Sequence, residues 1–160
     1  MSHKNPWLLT VILMCGLFIT PGAHAEDRAT ARPKVEKVSW CIYVNNAPNP
    51  VRAFGFDIIY PTDALVFDGV SRGELLEKGF RFFGSNELRP GRIRIGGMEP
   101  GKGVIGSGAS GRLVTLTFVK KKKIVKPAFK FLMVRDDMQA WSLSVKGDKN
   151  ATLSLGKCEK

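Results

Sequence analysis

Histidine is almost absent from this 160-residue sequence. Its two histidines, His3 and His24, both lie among the first 25 residues, so the rest of the chain has none. A Ser-His-Asp triad, a Cys/His pair and a zinc site with imidazole ligands all require histidine. The composition therefore excludes these catalytic and metal-binding arrangements from the chain beyond residue 24.

The sequence also lacks an apolar run long enough for a comfortable membrane span, which takes about 20 residues. The candidate run covers residues 7–19 and ends shortly before the helix-breaking Pro21. Lys4 precedes the run, and small residues around Ala25 follow it. This arrangement predicts a signal peptide over residues 1–25 and no integral membrane span in the mature chain.

Removing the predicted signal peptide leaves 135 residues, in which Lys plus Arg falls from 25 to 24 while Asp plus Glu stays at 14, a net charge of +10. The full chain is 44% hydrophobic and 24% charged, which is typical of an ordinary globular domain. We expect a protein that is secreted or periplasmic, or otherwise extracellular. Its short leader would cover residues 26–36, and one folded domain residues 37–160.

Only two cysteines, Cys41 and Cys158, belong to the predicted mature domain. In an exported chain such a pair predicts a disulfide, and a reactive thiol pair would need the CxxC spacing that is missing. Both cysteines are out of phase with the apolar residues around them. We therefore expect an outward-facing disulfide that joins the first and last strands. Cys15 lies in the signal peptide, and whether it is ever lipidated stays open.

Apolar and polar residues alternate through most of the mature chain, as they do in β-strands. The apolar phase comprises Val38, Trp40, Ile42, Val44, Phe54, Phe56, Ile58, Tyr60, Ile93, Ile95, Val114, Leu116, Phe118, Phe129, Phe131, Met133, Trp141, Leu143, Val145, Leu153 and Leu155. Turn signals such as Asn49-Pro50 separate these runs, and one helical turn is expected from Gly73 to Lys78. The pattern predicts an all-β sandwich.

Two glycine motifs resemble nucleotide-binding signatures without completing them. Residues 96–102 fit GxxxxGK, but Gly103 replaces the metal-binding Ser or Thr and no helix follows. Residues 106–111 fit GxGxxG, but a predicted strand follows where dinucleotide binding requires a helix. Both segments are expected to form glycine-rich loops between strands.

The carboxylates offer little chemistry either. Asp136 and Asp137 lie at an apparent turn, and Glu74 and Glu77 share one side of the predicted helical turn. A glycosidase needs two carboxylates at a set separation, and calcium loops follow a DxDxDG pattern that is missing. We therefore expect no enzyme, no cofactor and no metal site.

The lysine run at residues 120–123 suggests an electrostatic partner. Export argues against nucleic acid, and the aromatic residues mostly occupy inward phases instead of alternating with the lysines. A solvated hairpin end between two strands explains the run more simply. Attraction to an anionic polysaccharide or an envelope lipid is the alternative that a charge of +10 leaves open.

A strand ending in Tyr60-Pro61 is followed by a second strand, Val70 and Gly73-Glu74-Leu75, then by an isoleucine-rich strand at residues 91–96. A glycine-rich approach then leads into a strand ending in Phe118. This order of segments resembles the cohesin domain over residues 38–156. The sequence departs from the family in three ways, because Asp is missing before Pro61, the first strand is abbreviated, and a cysteine pair is not a family hallmark.

The resemblance implies a nine-stranded jelly-roll-type β-sandwich that binds a protein partner, a dockerin-like or envelope protein, without catalysis. The binding face would be formed by strands at residues 51–60, 80–87, 92–98 and 128–135. The phase opposite to the apolar one supplies the candidate partner-binding residues, which are Ala53, Asp57, Ile59, Arg81, Phe83, Arg92, Arg94, Lys130 and Leu132.

Apolar residues surrounded by arginine suit a protein partner with an acidic rim, although an ordinary half-exposed sheet face would look the same. A polysaccharide-binding module is the second hypothesis. It would need several exposed aromatic side chains, whereas Trp40 and Trp141 both occupy inward phases.

Overall fold

The computed structural model describes residues 35–77, 79–101, 104–121 and 128–158. The predicted signal peptide, Cys15, residues 26–34 of the predicted leader, and Lys122 and Lys123 of the lysine run lie outside the described residues. Within the described ranges, no helix is long and apolar enough to cross a membrane.

The described residues form nine strands and one short helix. In chain order these are β1 (Lys37–Val44), β2 (Ala53–Ile59), β3 (Leu65–Arg72), α1 (Glu74–Glu77), β4 (Phe82–Arg89), β5 (Arg92–Met98), β6 (Gly111–Lys120), β7 (Lys130–Asp136), β8 (Leu143–Ser144) and β9 (Leu153–Lys157). They build a five-stranded sheet, β3-β6-β1-β9-β8, and a four-stranded sheet, β4-β5-β2-β7. All neighbours pair antiparallel except β8 and β9. This confirms the predicted nine-stranded β-sandwich.

The hydrophobic core contains the apolar phases of both sheets. Its largest fully buried side chains are Phe56, Phe80, Phe118, Ile42, Ile58, Leu65, Leu76, Ile93, Ile95, Leu113, Leu116 and Met138. The ring of Phe118 lies 5.2 Å from that of Tyr60 and 5.6 Å from that of Phe129, centroid to centroid. Burying an aromatic side chain of this kind stabilises a fold by about 2 to 3 kcal/mol. The outward phase of each strand is thereby left for solvent or for a partner.

Two residues of the apolar phase face solvent instead. The pairing of β2 with β7 shifts register between Gly55 and Asp57, and Met133 has a φ of 54°. This irregularity turns Met133 outward, where it is 44% exposed, and lets Val134 pack against the core. Leu143 is 43% exposed because its strand has two residues and lies at a sheet edge.

The predicted helical turn is present as α1, and glycine is required just before it. The N–H of Gly73 donates to the carbonyl of Leu113 at 2.7 Å, and a Cβ on Gly73 would lie 2.2 Å from the carbonyl oxygen of Arg112. Glu74 accepts a 3.0 Å hydrogen bond from the backbone N–H of Arg112. These contacts fasten α1 to the start of β6.

The two glycine motifs are not both loops. Gly96 and Gly97 lie inside β5, which corrects the expectation of a loop from residue 96, because β5 continues to Met98 between two neighbouring strands. The segment at residues 106–110 does connect strands. The N–H of Gly108 donates to the carbonyl of Ala47 at 2.7 Å, and the N–H of Ala47 donates to the carbonyl of Ala109 at 2.9 Å.

The structure pairs Cys41 with Cys158, as predicted, with their Cα atoms 4.9 Å apart. β1 and β9 are neighbours, and Cys41 lies opposite Gly156, two residues before Cys158. Cys41 belongs to the outward phase of β1, but its side chain is fully buried. The disulfide therefore joins the first strand to the end of the last one.

Candidate binding face

The register of the four-stranded sheet determines which residues face solvent. Residues paired directly across neighbouring strands lie on the same side of a sheet, and core residues such as Phe56 and Ile95 define the inner side. The other side is here called the outer face. It carries Ala53, Gly55, Asp57, Ile59, Phe82, Gly84, Asn86, Arg89, Arg92, Arg94, Gly96, Met98, Lys130, Leu132 and Arg135, together with the outward-turned Met133, whose Sδ lies 3.3 Å from Nη2 of Arg92.

Asp57 lies at the centre of the outer face, and two arginines cover it. Arg94 donates from Nε to Oδ1 at 2.8 Å and from Nη2 to Oδ2 at 3.2 Å. Arg92 donates from Nε to Oδ2 at 2.8 Å, and its Nη2 also contacts Oδ2. The Asp57 residue is only 1% exposed. Asp57 therefore cannot itself contact a partner, but it fixes both guanidinium groups.

The arginines hold Asp57 in its charged form. Hydrogen bonding from Arg94 lowers the pKa of Asp57 against the opposing effect of burial, and hydrogen bonding from Arg92 lowers it further. The same contact raises the pKa of Arg94. Two guanidinium groups and one carboxylate leave a net charge of +1, so this cluster favours an anionic group.

Both guanidinium groups keep donors for a partner. Arginine has five N–H donors, and the Nη1 groups of Arg92 and Arg94 make none of the contacts with Asp57. The Arg94 side chain is 44% exposed and that of Arg92 is 21% exposed. Because Asp57 already orders both side chains, less conformational entropy is lost when they bind a carboxylate.

An apolar pair lies at the other end of the outer face. Phe82 on β4 is directly opposite Met98 on β5, and these side chains are 53% and 49% exposed. Ala53 on β2 continues the same row. Phe82 and Met98 are not predicted from the sequence, because β4 does not alternate cleanly and Met98 follows two glycines.

A row of three glycines, here called the glycine band, separates the apolar pair from the arginine cluster. Gly84, Gly96 and Gly55 are directly opposite one another across β4, β5 and β2. A Cβ on Gly84 would meet no atom within 4 Å, so packing does not require glycine there. The outer face thus combines an exposed apolar pair, a flat band and a cationic cluster.

Seven of the nine predicted partner-binding residues lie on the outer face: Ala53, Asp57, Ile59, Arg92, Arg94, Lys130 and Leu132. The expectation that Phe83 faces outward is wrong. Phe83 pairs with Gly97, which pairs with the core residue Phe54, and its ring packs against the core under the guanidinium of Arg72, 5.6 Å away.

Arg81 lies just before β4 and is exposed. Its backbone N–H donates to Glu99 at 2.7 Å, and Glu99 also accepts from the N–H of Gly101 at 2.7 Å. The hydrogen bond from Gly101 has the largest effect in lowering the pKa of the Glu99 carboxyl, and the one from Arg81 lowers it further. Glu99 therefore fastens the loop after β5 to the start of β4, and Arg81 lies at the border of the outer face.

The adjacent acids Asp136 and Asp137 have different surroundings. Asp137 accepts from the backbone N–H groups of Arg52 at 2.7 Å and Ala53 at 3.0 Å. The hydrogen bond from Ala53 has the largest effect in lowering the pKa of the Asp137 carboxyl, and the one from Arg52 lowers it further. Asp137 thus caps the start of β2. Asp136 ends β7 with a φ of 57°. Among the described residues, no group of three His, Cys, Asp or Glu side chains could hold a metal ion.

The chain is similar in structure to known proteins, although its sequence matches none of them. No protein-family model matches the chain, and no curated protein matches it. Among solved structures, the chain is similar to the seventh ScaB type I cohesin from Pseudobacteroides cellulosolvens. The TM-score is 0.51 at 20% identity, over 62% of this chain and 66% of that one.

Two further structures give the same result. A non-cellulosomal cohesin from the hyperthermophilic archaeon Archaeoglobus fulgidus has a TM-score of 0.50 at 17% identity, over 64% of this chain and 67% of that one. The third cohesin ScaC from Acetivibrio cellulolyticus, solved in complex with the ScaB dockerin, has a TM-score of 0.50 at 16% identity, over 61% and 71%. At these identities the likeness shows the fold: this chain is a cohesin-like β-sandwich.

Proposed function

We propose that this protein is an exported, non-catalytic binding module that recognises a protein partner through its outer face. The observation that carries the proposal is the arrangement of that face. The exposed pair Phe82 and Met98 lies across a flat glycine band from the preorganised arginines of the Asp57 cluster. An apolar anchor beside arginines is the combination that protein interfaces favour.

The charges and the apolar side chains of the outer face indicate what kind of partner would bind there. The Asp57 cluster, formed by Asp57, Arg92 and Arg94, carries a net charge of +1, and Lys130 and Arg135 add two further cations on the neighbouring strand β7. A partner that places a carboxylate over the arginines and an apolar side chain on Phe82 would satisfy both ends of the face. The ScaC cohesin, which shares the fold, was solved with a dockerin on it, and this supports a dockerin-like or envelope protein as the partner.

Polysaccharide binding at the outer face has less support. A sugar platform needs several exposed aromatic side chains, and Phe82 is the single aromatic residue on the described outer face. Trp141 is buried, with its Nε1 donating to Asn49 at 2.8 Å, and Trp40 is half-buried beside Phe129. Both tryptophans therefore pack in or against the core and do not form an exposed platform for sugars.

Binding can be tested without disturbing the buried cluster. The purified chain would be immobilised and exposed to the source's own envelope and secreted fractions, beside the double variant Phe82→Ala/Met98→Ala. Val66→Ala/Leu143→Ala on the other sheet is the matched control, since these side chains are 41% and 43% exposed. We expect a protein captured by wild type and control and lost by the Phe82/Met98 variant. Equal capture by all three would reject the outer face as the binding surface.

Export is tested separately. The proposal places the mature protein outside the cytoplasm, and the predicted cleavage after Ala25 gives a chain that begins at Glu26. Amino-terminal sequencing of the chain from the source's exported fractions should start at or near Glu26. A chain that retains residues 1–25 and stays in the cytoplasm would contradict this part of the proposal.

A further inference from the structure

The exposed apolar pair, Phe82 and Met98, borders an open depression in the outer face. The depression has a volume of about 470 Å³ and lies over β4 and β5. The side chains of the apolar pair stand beside it, and the backbone of Gly84 and Gly96 forms its floor. Arg81 borders it as well. An apolar side chain of a partner would therefore contact both members of the pair and the bare backbone between them.

The packing of the sheet does not require glycine at position 84. A Cβ there would meet no atom within 4 Å, and Gly84 is not among the glycines with positive φ. Gly96 differs, because its Cβ would lie 3.3 Å from the carbonyl oxygen of Phe54. Glycine weakens a strand, and it often marks a place where a ligand or another chain approaches the backbone closely. Gly84 keeps the depression open in this way.

We propose that the partner recognised at the outer face places an aromatic side chain in this depression and a carboxylate on Arg94. The inference rests on the proposed function and specifies the chemistry of its ligand. An aromatic ring suits the floor, because aromatic side chains pack over glycines of edge strands, and β4 is an edge strand. The ring of Phe82 and the thioether of Met98 both make favourable contacts with a second ring.

The charges of the outer face favour a carboxylate beside that ring. Asp57 is the one acidic residue on the described outer face, and it is buried under its two arginines. Arg94 lies in the row of residues next to the glycine band, and Asp57 already orders its guanidinium group. A carboxylate bound there would meet a preorganised cation.

The sheet also determines how far apart the two groups of the partner lie. Arg94 and Gly96 are two residues apart on β5 and on the same side of the sheet. Two residues of a strand span about 7 Å. The aromatic ring and the carboxylate should have a similar separation, as in side chains two residues apart on a strand or four residues apart on a helix.

The test uses indolepropionate, a small molecule in which a two-carbon chain joins an aromatic ring to a carboxylate. Binding is followed in assigned proton–nitrogen NMR spectra of the purified protein, at about 0.15 M salt so that long-range attraction is screened. We expect the backbone N–H signals of Gly84 and Gly96 and the Nε–H signal of Arg94 to shift together, with one dissociation constant.

Two further probes separate the ring from the charge. Indolepropionamide keeps the ring without the charge, and propionate keeps the charge without the ring. We expect each to bind at least tenfold more weakly than indolepropionate. Equal binding of either probe, or no shift of these three signals with indolepropionate, would overturn the proposal.

Filling the depression provides a matched pair of variants. Gly84→Val places a side chain in the depression, and Gly69→Val on β3 of the other sheet is the control, because a Cβ there also meets no atom within 4 Å. We expect Gly84→Val to weaken indolepropionate binding at least tenfold and Gly69→Val to leave it unchanged. Melting temperatures show that both variants fold. Equal binding by both variants would overturn the location of the site.

The position of the carboxylate is tested by Arg94→Gln beside Arg81→Gln, since Arg81 also borders the depression. We expect the larger loss of indolepropionate binding in Arg94→Gln, and the NMR spectrum shows whether this variant is folded. A larger loss in Arg81→Gln would overturn the assignment to Arg94. The Nε–H signal of Arg94 in the wild type tests the same contact without a substitution.

Gly84→Val also separates this inference from the proposed function when it is added to the capture experiment. Loss of the captured protein in both Gly84→Val and Phe82→Ala/Met98→Ala, with capture kept by Gly69→Val, would support both. Capture that is lost in Phe82→Ala/Met98→Ala but kept in Gly84→Val would retain the outer face as the binding surface and overturn the inference that an aromatic side chain fills the depression.

Discussion

Arg94 holds both carboxylate oxygens of Asp57, with Nε 2.8 Å from Oδ1 and Nη2 3.2 Å from Oδ2. The two residues are directly opposite each other on β5 and β2, so the sheet register itself brings them together. A buried carboxylate is costly unless its charge is matched and its lone pairs are used. This contact therefore stabilises the sheet and, at the same time, fixes the guanidinium that we propose for binding.

Replacing Asp57 with Asn should lower the free energy of unfolding by about 1 to 3 kcal/mol, because two guanidinium groups lose their counter-charge. Chemical denaturation at neutral pH measures the change. Asp68→Asn is the control, since Asp68 forms a surface ion pair with Lys37 that should contribute less than about 1 kcal/mol. A loss no larger for Asp57→Asn than for Asp68→Asn would contradict the stabilising role of the cluster.

Stability should also fall in acid. Asp57, Glu99 and Asp137 have folded-state pKa values below their ordinary ones, which are 3.8 for Asp and 4.5 for Glu. A carboxyl with a lowered folded pKa stabilises the fold above its unfolded pKa and loses this contribution as the pH falls through the folded value.

We therefore expect the melting temperature to drop as the pH is lowered from about 4 to about 2. The drop should be shallower in Asp57→Asn, which has one such carboxyl fewer. A melting temperature that stays constant over this range, or an identical slope in the variant, would show that the hydrogen bonds to these carboxylates do not control acid stability.

Replacing Gly97 on β5 or Gly84 on β4 with alanine should have opposite effects on stability. A Cβ on Gly97 would lie 2.7 Å from the ring of Phe54 and 3.2 Å from that of Phe80, so Gly97→Ala should cost about 1 to 3 kcal/mol. A Cβ on Gly84 meets no atom within 4 Å, so Gly84→Ala should be neutral or stabilise by up to about 1 kcal/mol. Melting temperatures compare the two variants, and the reverse order would mean that the sides of the sheet are misassigned.

The disulfide should contribute strongly to stability. It links residues 117 positions apart, and closing such a loop stabilises by up to about 4 to 5 kcal/mol in the chain-entropy model. In a Cys15→Ser background, thiol titration should find no free thiol, and reduction should lower the melting temperature. Two titratable thiols in the folded, exported protein would contradict the pairing of Cys41 with Cys158.

Much of the sandwich was predictable because its core strands alternate regularly. In β2, Phe54, Phe56 and Ile58 have a strict period of two, and a one-residue slip would expose all three. Met133 could not be placed correctly in this way, because the register shift beside Gly55 reverses the side on which the following residues of β7 lie. Irregularities of this kind depend on the neighbouring strand and leave no mark on local alternation.

The candidate face was predictable only in part, for a related reason. Arg92 and Arg94 could be placed outward from the isoleucines between and after them, but their shared contact with Asp57 depends on the register of β5 against β2. Phe82 and Phe83 are adjacent, and alternation within β4 does not say which of them faces the core. The pairing of Phe83 with Gly97 decides it.

Site-specific photo-crosslinking can show whether a protein partner binds at the outer face. A photoreactive residue would replace Phe82 or Leu132 on the outer face, and Val66 or Leu143 on the other sheet as matched exposed controls. Each variant would be irradiated with the source's exported fractions. We expect one protein adduct of reproducible mass from positions 82 and 132 and none from positions 66 and 143. Adducts from 66 and 143 alone, or none from 82 and 132, would contradict binding at the outer face.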